Sequence, residues 1–318
     1  SYHLGFGKNI SLSNLSKANE NRTYLIFEEF ANHLIVVVRQ KSKNLDFEIK
    51  GKIYAFDSTT IDLCLSVFWW AHFRKTKAGI KLHTLFDITT QIPAFIHFSE
   101  ADVHDVNAMD YIVYEPFSYY IFDRAYVDYK RLFAITNQKA FFVVRAKSNL
   151  KFERIYSNKT DKSTGVKSDQ TGKLTGFYTS KDYPEKIRRV RFYDAESQRT
   201  FVFLTNNFDL TATQIAFLYK QRWQIELFFK WIKQNLKIKS FWGTTENAVR
   251  IQINTAITSY CLVSIFKNEQ KIEQSIYEII QILGISLLDK TPVNQLFKNY
   301  NYNNVNESDY NQLKISLF

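Results

Sequence analysis

The sequence predicts an α/β domain on a mixed sheet, interrupted by a β-rich insertion and flanked by helical segments. Three observations predict it. Between residues 51 and 147, short apolar runs closed by polar residues alternate with stretches of helical spacing. From residue 148 the text turns polar and strand-like, and long helical periodicity returns at Thr211. Hydrophobic residues make up 45% of the 318 and charged residues 23%, which supplies a sizeable core and excludes a disordered chain.

In chain order, residues 11–40 read as helical, with Ser11, Ser13 and Ser16 as candidate caps. Residues 53–56, 80–86 and 94–98 read as strands, the last following Pro93. Residues 105–114 read as helix, 119–122 as strand, 127–137 as helix and 140–144 as a buried strand. Residues 158–172 read as a loop, and 174–179, 188–193 and 200–204 as short strands. One helix is predicted from Thr211 to about Asn235. More helix follows from about Asn247 to Leu283, where Gly284 offers a stop. The Asn- and Tyr-rich stretch at 299–306 reads as loosely held.

The net charge is +11 and the pI about 9.3, with Lys and Arg spread along the whole chain. Such a balance points to a polyanionic partner, nucleic acid being the usual one, against the plainer reading of a merely basic protein. No apolar run approaches the roughly 18 residues of a membrane helix and no signal peptide opens the chain, so a cytoplasmic protein is expected. Cys64 and Cys261 are far apart and outside any CxxC pair, which argues against a disulfide framework or a structural zinc site. The chain begins Ser-Tyr-His without Met, and is expected to be a fragment of a longer protein.

Asp57 and Asp123 share a context: each closes an apolar run, IYAFD in one case and YYIFD in the other. Two such strands side by side would bring both carboxylates to one place, and hard oxygen ligands suit Mg²⁺ or Mn²⁺. Taken singly, each Asp reads more readily as a turn or helix cap. Around Glu226 the pattern is sharper. Tyr219, Arg222, Glu226 and Lys233 fall within an arc of roughly 60° on a helix, with Lys230 and Lys237 on or beside it. Phe217, Leu218, Ile225, Phe228, Ile232 and Leu236 cover much of the other side. A solvated face with Glu226 paired to Arg222 or Lys230 is the plainer account. It leaves the tyrosine and the excess positive charge without a reason, whereas a metal carboxylate flanked by phosphate-binding groups accounts for both.

The spacing of Tyr219, Arg222, Glu226 and Lys233 is Y-x2-R-x3-E-x6-K, and here the chain resembles the insertion-sequence-four group of DDE transposases. LYKQRWQIELFFKWIKQNLKIKSFWG, AFDSTTIDLCLSVFWWAHF, KAGIKLH and YYIFDRAYVDY are each similar to segments of that group, over about residues 11–300. The resemblance implies an RNase H-like fold with a β-strand insertion before the Glu helix. It implies two Mg²⁺ or Mn²⁺ ions held by Asp57, Asp123 and Glu226, which cut and rejoin DNA at the ends of a bacterial insertion sequence by cut and paste. The implied partners are double-stranded DNA, as terminal inverted repeats and target, and a second copy of the chain when on DNA; the implied location is the cytoplasm, at the nucleoid. Tyr219, Arg222, Lys230, Lys233 and Lys237 are the implied DNA contacts. Some members stack an aromatic side chain on a flipped base. The insertion here has no Trp, which leaves Phe177, Tyr178, Phe192 or a Trp elsewhere as candidates.

The expected organisation has five parts. A helical segment at 1–50 is the remnant of a DNA-binding region. The catalytic domain runs over 51–147 and 211–285, the β-strand insertion over 148–210, and a tail over 286–318. Weaker signals are the His104-Asp105 pair, Lys81 and His83 on one strand face, Trp69-Trp70, and the carboxylates Asp62, Asp87, Asp102 and Asp128. Of these, Asp87 is the rival to test, because it too closes an apolar strand. A DNA-binding relative without activity and a different nuclease on the same fold are the alternatives.

Overall fold

In the computed structural model the described residues are 10–42, 49–63, 72–74, 77–235, 241, 243–286 and 296–297. Cys64, Trp69, Trp70, Leu236, Lys237 and the stretch 299–306 lie outside them. Two helices open the described chain, α1 (Leu12–Asn21) and α2 (Leu25–Lys41). Ser11 caps α1, its hydroxyl accepting the Asn14 N–H at 3.2 Å. A meander follows: β1 (Ile53–Leu63), β2 (His72–Arg74), β3 (Lys77–Asp87) and β4 (Ile92–Glu100). The 3₁₀ turn Asp105–Tyr111 leads to β5 (Tyr119–Phe122), α3 (Tyr129–Asn137) and β6 (Phe141–Arg145). Next come β7 (Phe152–Asn158), β8 (Val166–Leu174), α4 (Thr179–Asp182), β9 (Ile187–Asp194) and β10 (Arg199–Thr205). The remaining helices are α5 (Ala212–Gln221), α6 (Trp223–Asn235), α7 (Glu246–Gln270) and α8 (Ile276–Ser286).

Residues Ile10–Leu262 form one compact unit; Val263–Phe318 with Ser1–Asn9 form a second. In the second, Ser275 and Glu278 open α8 with a capping box: the Glu278 carboxylate accepts the Ser275 N–H at 2.7 Å, and the Ser275 hydroxyl accepts the Glu278 N–H at 3.2 Å. Gly284 lies inside α8, not after it.

The main unit is organised by one sheet of ten strands among the described residues, ordered β2-β3-β1-β5-β6-β10-β9-β8-β7, with β4 on β3. β1 pairs antiparallel with β3 and parallel with β5, and β5 pairs parallel with β6. The mixed α/β expectation holds, and the arrangement is consistent with an RNase H-like architecture. Alternation along the strands assigns the two faces. Tyr54, Phe56, Tyr120, Phe122, Phe142 and Val144 share one face, in a core completed by Leu132 and Ile135 of α3. Ala55, Ile121 and Val143 point to the other face, which α5 and α6 cover.

The insertion departs from expectation in two ways. Its strands are not set apart from the main sheet, because β10 pairs antiparallel with β6, joining Leu204 to Val144 and Thr205 to Val143. The edge of β6 is apolar on both faces, and pairing it removes an exposed edge. The second half of the stretch expected as a loop at 158–172 is part of β8, and the strand expected at 174–179 is mostly a connection into α4. Polar β8 is a strand because its polar side chains have partners. Asp169 and Thr171 are buried, and Arg188 of β9 donates to both Asp169 oxygens at 2.8 Å and to the Leu210 carbonyl at 2.6 Å.

Removing one partner of a buried ion pair strands the other charge, at a cost of about 3–5 kcal/mol. Arg188→Ala should therefore lower stability by about 3 kcal/mol or more in urea unfolding. A double replacement, Arg188→Met with Asp169→Leu, should recover most of that loss; no recovery would mean that the pair is not what holds β8 to β9.

Candidate active site

Strand register places the first two acids. Phe56 pairs with Phe122, and Phe122 with Val144, so Asp57, Asp123 and Arg145 are the next residues along three neighbouring strands. Asp123 follows β5 directly. Asp57 lies inside β1, which is longer than expected and runs on to Leu63 against β3. What ends at Asp57 is its pairing with β5. The carboxylate thus sits at the end of the parallel pairing while its backbone stays in a strand. Asp57 and Asp123 both point to the face covered by α5 and α6.

The third acid arrives on a bent helix. The single helix expected over 211–235 is α5 and α6, joined at Arg222. There the N–H groups of Arg222 and Ile225 bond three residues back, to Tyr219 and Arg222, which tightens the chain locally. Leu218, Ile225, Phe228 and Ile232 anchor the two helices and are fully or nearly fully buried, whereas Phe217 is 40% exposed. Lys230 and Lys233 are exposed.

Arg222 links two of the acids. Its Nη1 donates to Asp57 Oδ2 at 2.7 Å, and its Nη2 donates to Glu226 Oε1. Burial disfavours the guanidinium charge, but Asp57, Tyr219 and Glu226 outweigh it and raise its pKa. Tyr219 reaches the remaining acid, its hydroxyl donating to Asp123 Oδ1 at 3.2 Å. Burial, with Asp123 beside it, pushes the Tyr219 phenol up to about 12, so it stays a donor. Tyr219 rests on Phe203, ring centres 4.6 Å apart. Asp57 also accepts the Ser58 N–H at 2.8 Å and a long bond from the Tyr126 hydroxyl at 3.5 Å. An open cleft of about 440 Å³ is lined by Asp57, Ser58, Thr59, Glu226, Phe229, Lys230, Lys233 and Gln234. Tyr219, Arg222, Lys230 and Lys233 therefore do gather around the acids.

Whether these residues suit a divalent ion is a question of donors and charge. The donors are hard carboxylate oxygens, the right kind for Mg²⁺ or Mn²⁺. Asp57 feels the negative charge of both Glu226 and Asp123, so the three acids share one locality. As they stand, no three His, Cys, Asp or Glu side chains among the described residues are grouped to hold an ion. Arg222 occupies one oxygen each of Asp57 and Glu226. The residue types fit the ion, and Arg222 is the group that stands in its way.

The rival carboxylates have other work. Asp87 pairs across from Tyr54, near the other end of β1, and is 2% exposed. One oxygen accepts from Thr89 and Thr90, and the other meets Arg39 at 3.3 Å. Asp128 caps α3 and pairs with Arg131. Lys81 and His83 lie on the face away from Asp57, whose cross-strand partner is Thr84. Lys81 donates to the Val103 carbonyl and pairs with Asp105, while His83 is buried against Ser99 at 2.8 Å.

Residues 48–262 match the transposase DDE domain family. The chain belongs to that family. A Sinorhizobium fredii protein described as a transposase, y4zB, is 32% identical over 88% of this chain and 78% of the relative. A Geobacillus stearothermophilus protein described as a transposase for insertion sequence element IS5377 is 31% identical over 71% of this chain and 59% of the relative. One for element IS4SA in Synechocystis is 26% identical over 81% of this chain and 72% of the relative. This DDE-type transposase is thus broadly related to known transposases, two of them described as belonging to insertion sequence elements. No helix among its described residues is long and apolar enough to cross a membrane.

Two residues at the transposase site were missed by sequence reading. Arg145 ends β6 beside Asp123, with its guanidinium 5.2 Å from the Phe201 ring centre. Its signal was available: FFVVR ends an apolar run in a charge, as IYAFD and YYIFD do. Tyr126, whose hydroxyl reaches Asp57, left no comparable mark.

Burial, against the opposing pull of Arg222, raises the Asp57 carboxyl from 3.8 to about 6. An unfolded chain releases that proton near 3.8, while the folded protein keeps it to about 6. Ionising Asp57 therefore costs folded-state stability, increasingly as pH rises through that window and fully above it. Asp57→Asn removes the cost, so its stability relative to the parent should increase between those pH values and level off above them. Parallel pH–stability curves for the two proteins would contradict the raised carboxyl.

Proposed function

We propose that this transposase cuts and rejoins DNA at the ends of a bacterial insertion sequence, with Asp57, Asp123 and Glu226 as its catalytic acids. The observation that carries the reading is that one bend in a helix, at Arg222, addresses all three: Arg222 pairs with Asp57 and Glu226, and Tyr219 donates to Asp123. The three carboxylates would hold Mg²⁺ or Mn²⁺, as two ions, which when bound supply an activated water or 3′-hydroxyl and a charge partner for the leaving oxygen. The narrower placement in the insertion-sequence-four group rests on the spacing of Tyr219, Arg222, Glu226 and Lys233.

The chain's own residues do the positioning. Lys230 and Lys233 offer phosphate contacts at the rim of the cleft that holds Asp57 and Glu226. Lys237 extends the series by sequence alone. A DNA phosphate competes with Asp57 and Glu226 for the Arg222 guanidinium, whose planar fork suits carboxylate and phosphate alike. Substrate binding would thus draw Arg222 off the acids. The domain reading completes the proposal: 51–147 and 211–285 carry the chemistry, 148–210 extends the sheet beside it, 1–50 is a helical segment that belongs to a DNA-binding region, and 286–318 is a tail. The enzyme acts on terminal inverted repeats and target DNA, as a homodimer on DNA, in the cytoplasm at the nucleoid.

Metal chemistry contributes several kcal/mol, and about 4 kcal/mol is a thousandfold in rate. Asp57→Asn, Asp123→Asn and Glu226→Gln should each reduce Mg²⁺-dependent nicking of an element-end duplex by at least about a thousandfold. DNA retention in a gel shift should persist. An Asp123→Asn protein that still nicks would remove the proposed role of the acids, and a parent that binds but never cuts would favour the reading of an inactive DNA-binding relative.

A further inference from the structure

Three arginines stand together away from the acids. Arg189 and Arg191 lie on β9, and Arg154 on β7, with β8 between them. Pairing of Leu204 with Arg189, and of Gly172 with both Arg154 and Ile187, puts all three on the face of Phe142 and Val144. Asp57, Asp123 and Glu226 belong to the other face. Arg154 and Arg191 are exposed and Arg189 is half-buried.

The middle guanidinium is held in place. Arg189 lies over the Phe152 ring, 4.2 Å from its centre, and donates twice to Gln170 Oε1, at 3.1 and 2.5 Å. Gly172 makes room for that ring, since a Cβ there would lie 2.5 Å from Phe152 Cζ and 2.1 Å from the Glu153 carbonyl oxygen. Two of the five guanidinium N–H donors are thus engaged, and the plane is fixed.

Nothing balances the charge. Arg39, Arg131, Arg188, Arg222 and Arg250 each pair with a carboxylate, but among the described residues no carboxylate pairs with Arg154, Arg189 or Arg191. Burial and the charges of Arg154 and Arg191 both push Arg189 below its usual range. Folding brings three like charges together and fixes one of them, which is unfavourable for the free protein and favourable once an anion arrives. Arg189 and Arg191 are two residues apart on a strand, about 6.8 Å, which equals about two axial steps of a DNA strand.

We propose that this face of β7–β9 is a second nucleic-acid surface, on which Arg154, Arg189 and Arg191 grip the phosphate backbone of duplex DNA remote from the cut. The proposal rests on the reading of the chain as an enzyme that acts on DNA. Regular strands present the contacts at fixed spacing and read no bases, so the surface is indifferent to sequence. DNA long enough to pass the acids and continue around the β7 edge of the sheet would meet it. The segment from Lys147 to Arg154 connects the two places, and Lys147 and Lys151 line a cleft of about 940 Å³ along the way.

The test uses the exposed pair, so that folding is not at stake. In the full chain, Arg154→Glu with Arg191→Glu is compared with Lys50→Glu with Lys139→Glu, an equal charge change at exposed residues before β1 and β6, at the end of the central strands away from the acids. Binding of a duplex of about 40 base pairs is measured across salt concentrations, with melting temperature as a check. Each lost phosphate contact lowers the salt slope by about 0.9. The arginine pair should therefore lose about two units of slope and at least tenfold in affinity, with an unchanged melting temperature, and the lysine pair should lose neither. If the arginine variant binds like the parent, or if both variants lose affinity equally, the surface is not a DNA site, and the transposase reading stands. If the parent itself retains no duplex, both fall.

Discussion

Parallel pairing of β1, β5 and β6 in a single register determines where everything at the site can be. With Phe56 beside Phe122 and Phe122 beside Val144, the residues that follow must lie at one level and on one face. Slip β5 by one residue and Asp123 turns into the α3 core while Phe122 faces the cleft. The apolar residues that fix this register are among the most deeply buried in the chain. Placing two carboxylates therefore needs no dedicated device, because the hydrophobic core does it as a by-product of its own packing.

Closely placed acids repel, and the way this chain relieves the repulsion gives the site its present form. Arg222 lies where α5 gives way to α6 and supplies positive charge to Asp57 and Glu226, and Tyr219 hydrogen-bonds Asp123. The plainer sequence reading, in which Glu226 pairs with Arg222, is the contact seen, and the proposed chemistry would have to use the same two residues. A pairing that satisfies acids in the absence of substrate also keeps a guanidinium, a group suited to phosphate, beside them.

How legible this was from sequence differs by element. The strands carrying Asp57 and Asp123 were legible because buried parallel strands are nearly continuous apolar runs, and IYAF and YYIF are such runs. The third acid was legible through helical spacing, even though the helix bends at Arg222, because a bend of this kind keeps neighbouring turns in order. β8 was not legible. Its polar residues read as a loop, and they form a strand only because Arg188, far along the chain, reaches Asp169 and fixes the pairing. Asp87 looked like a third strand-end acid until the antiparallel direction of β3 carried it to the far end of β1. Strand direction, which no local pattern records, keeps Asp87 apart from Asp57 and Asp123.

The union of β6 with β10 has a consequence for how the protein comes into being. Arg145 and Thr205, at the two ends of that contact, are sixty residues apart, and everything between them must be made before the second strand exists. At synthesis rates of about 5–20 residues per second, β6 waits about 3–12 s on the ribosome. During that wait its backbone is open on one side, next to the strand that carries Asp123. The nascent enzyme is thus most vulnerable to mispairing, with itself or with a neighbouring polysome product, at the centre of its future machinery, and chaperones that shelter unpaired strands would find their target there.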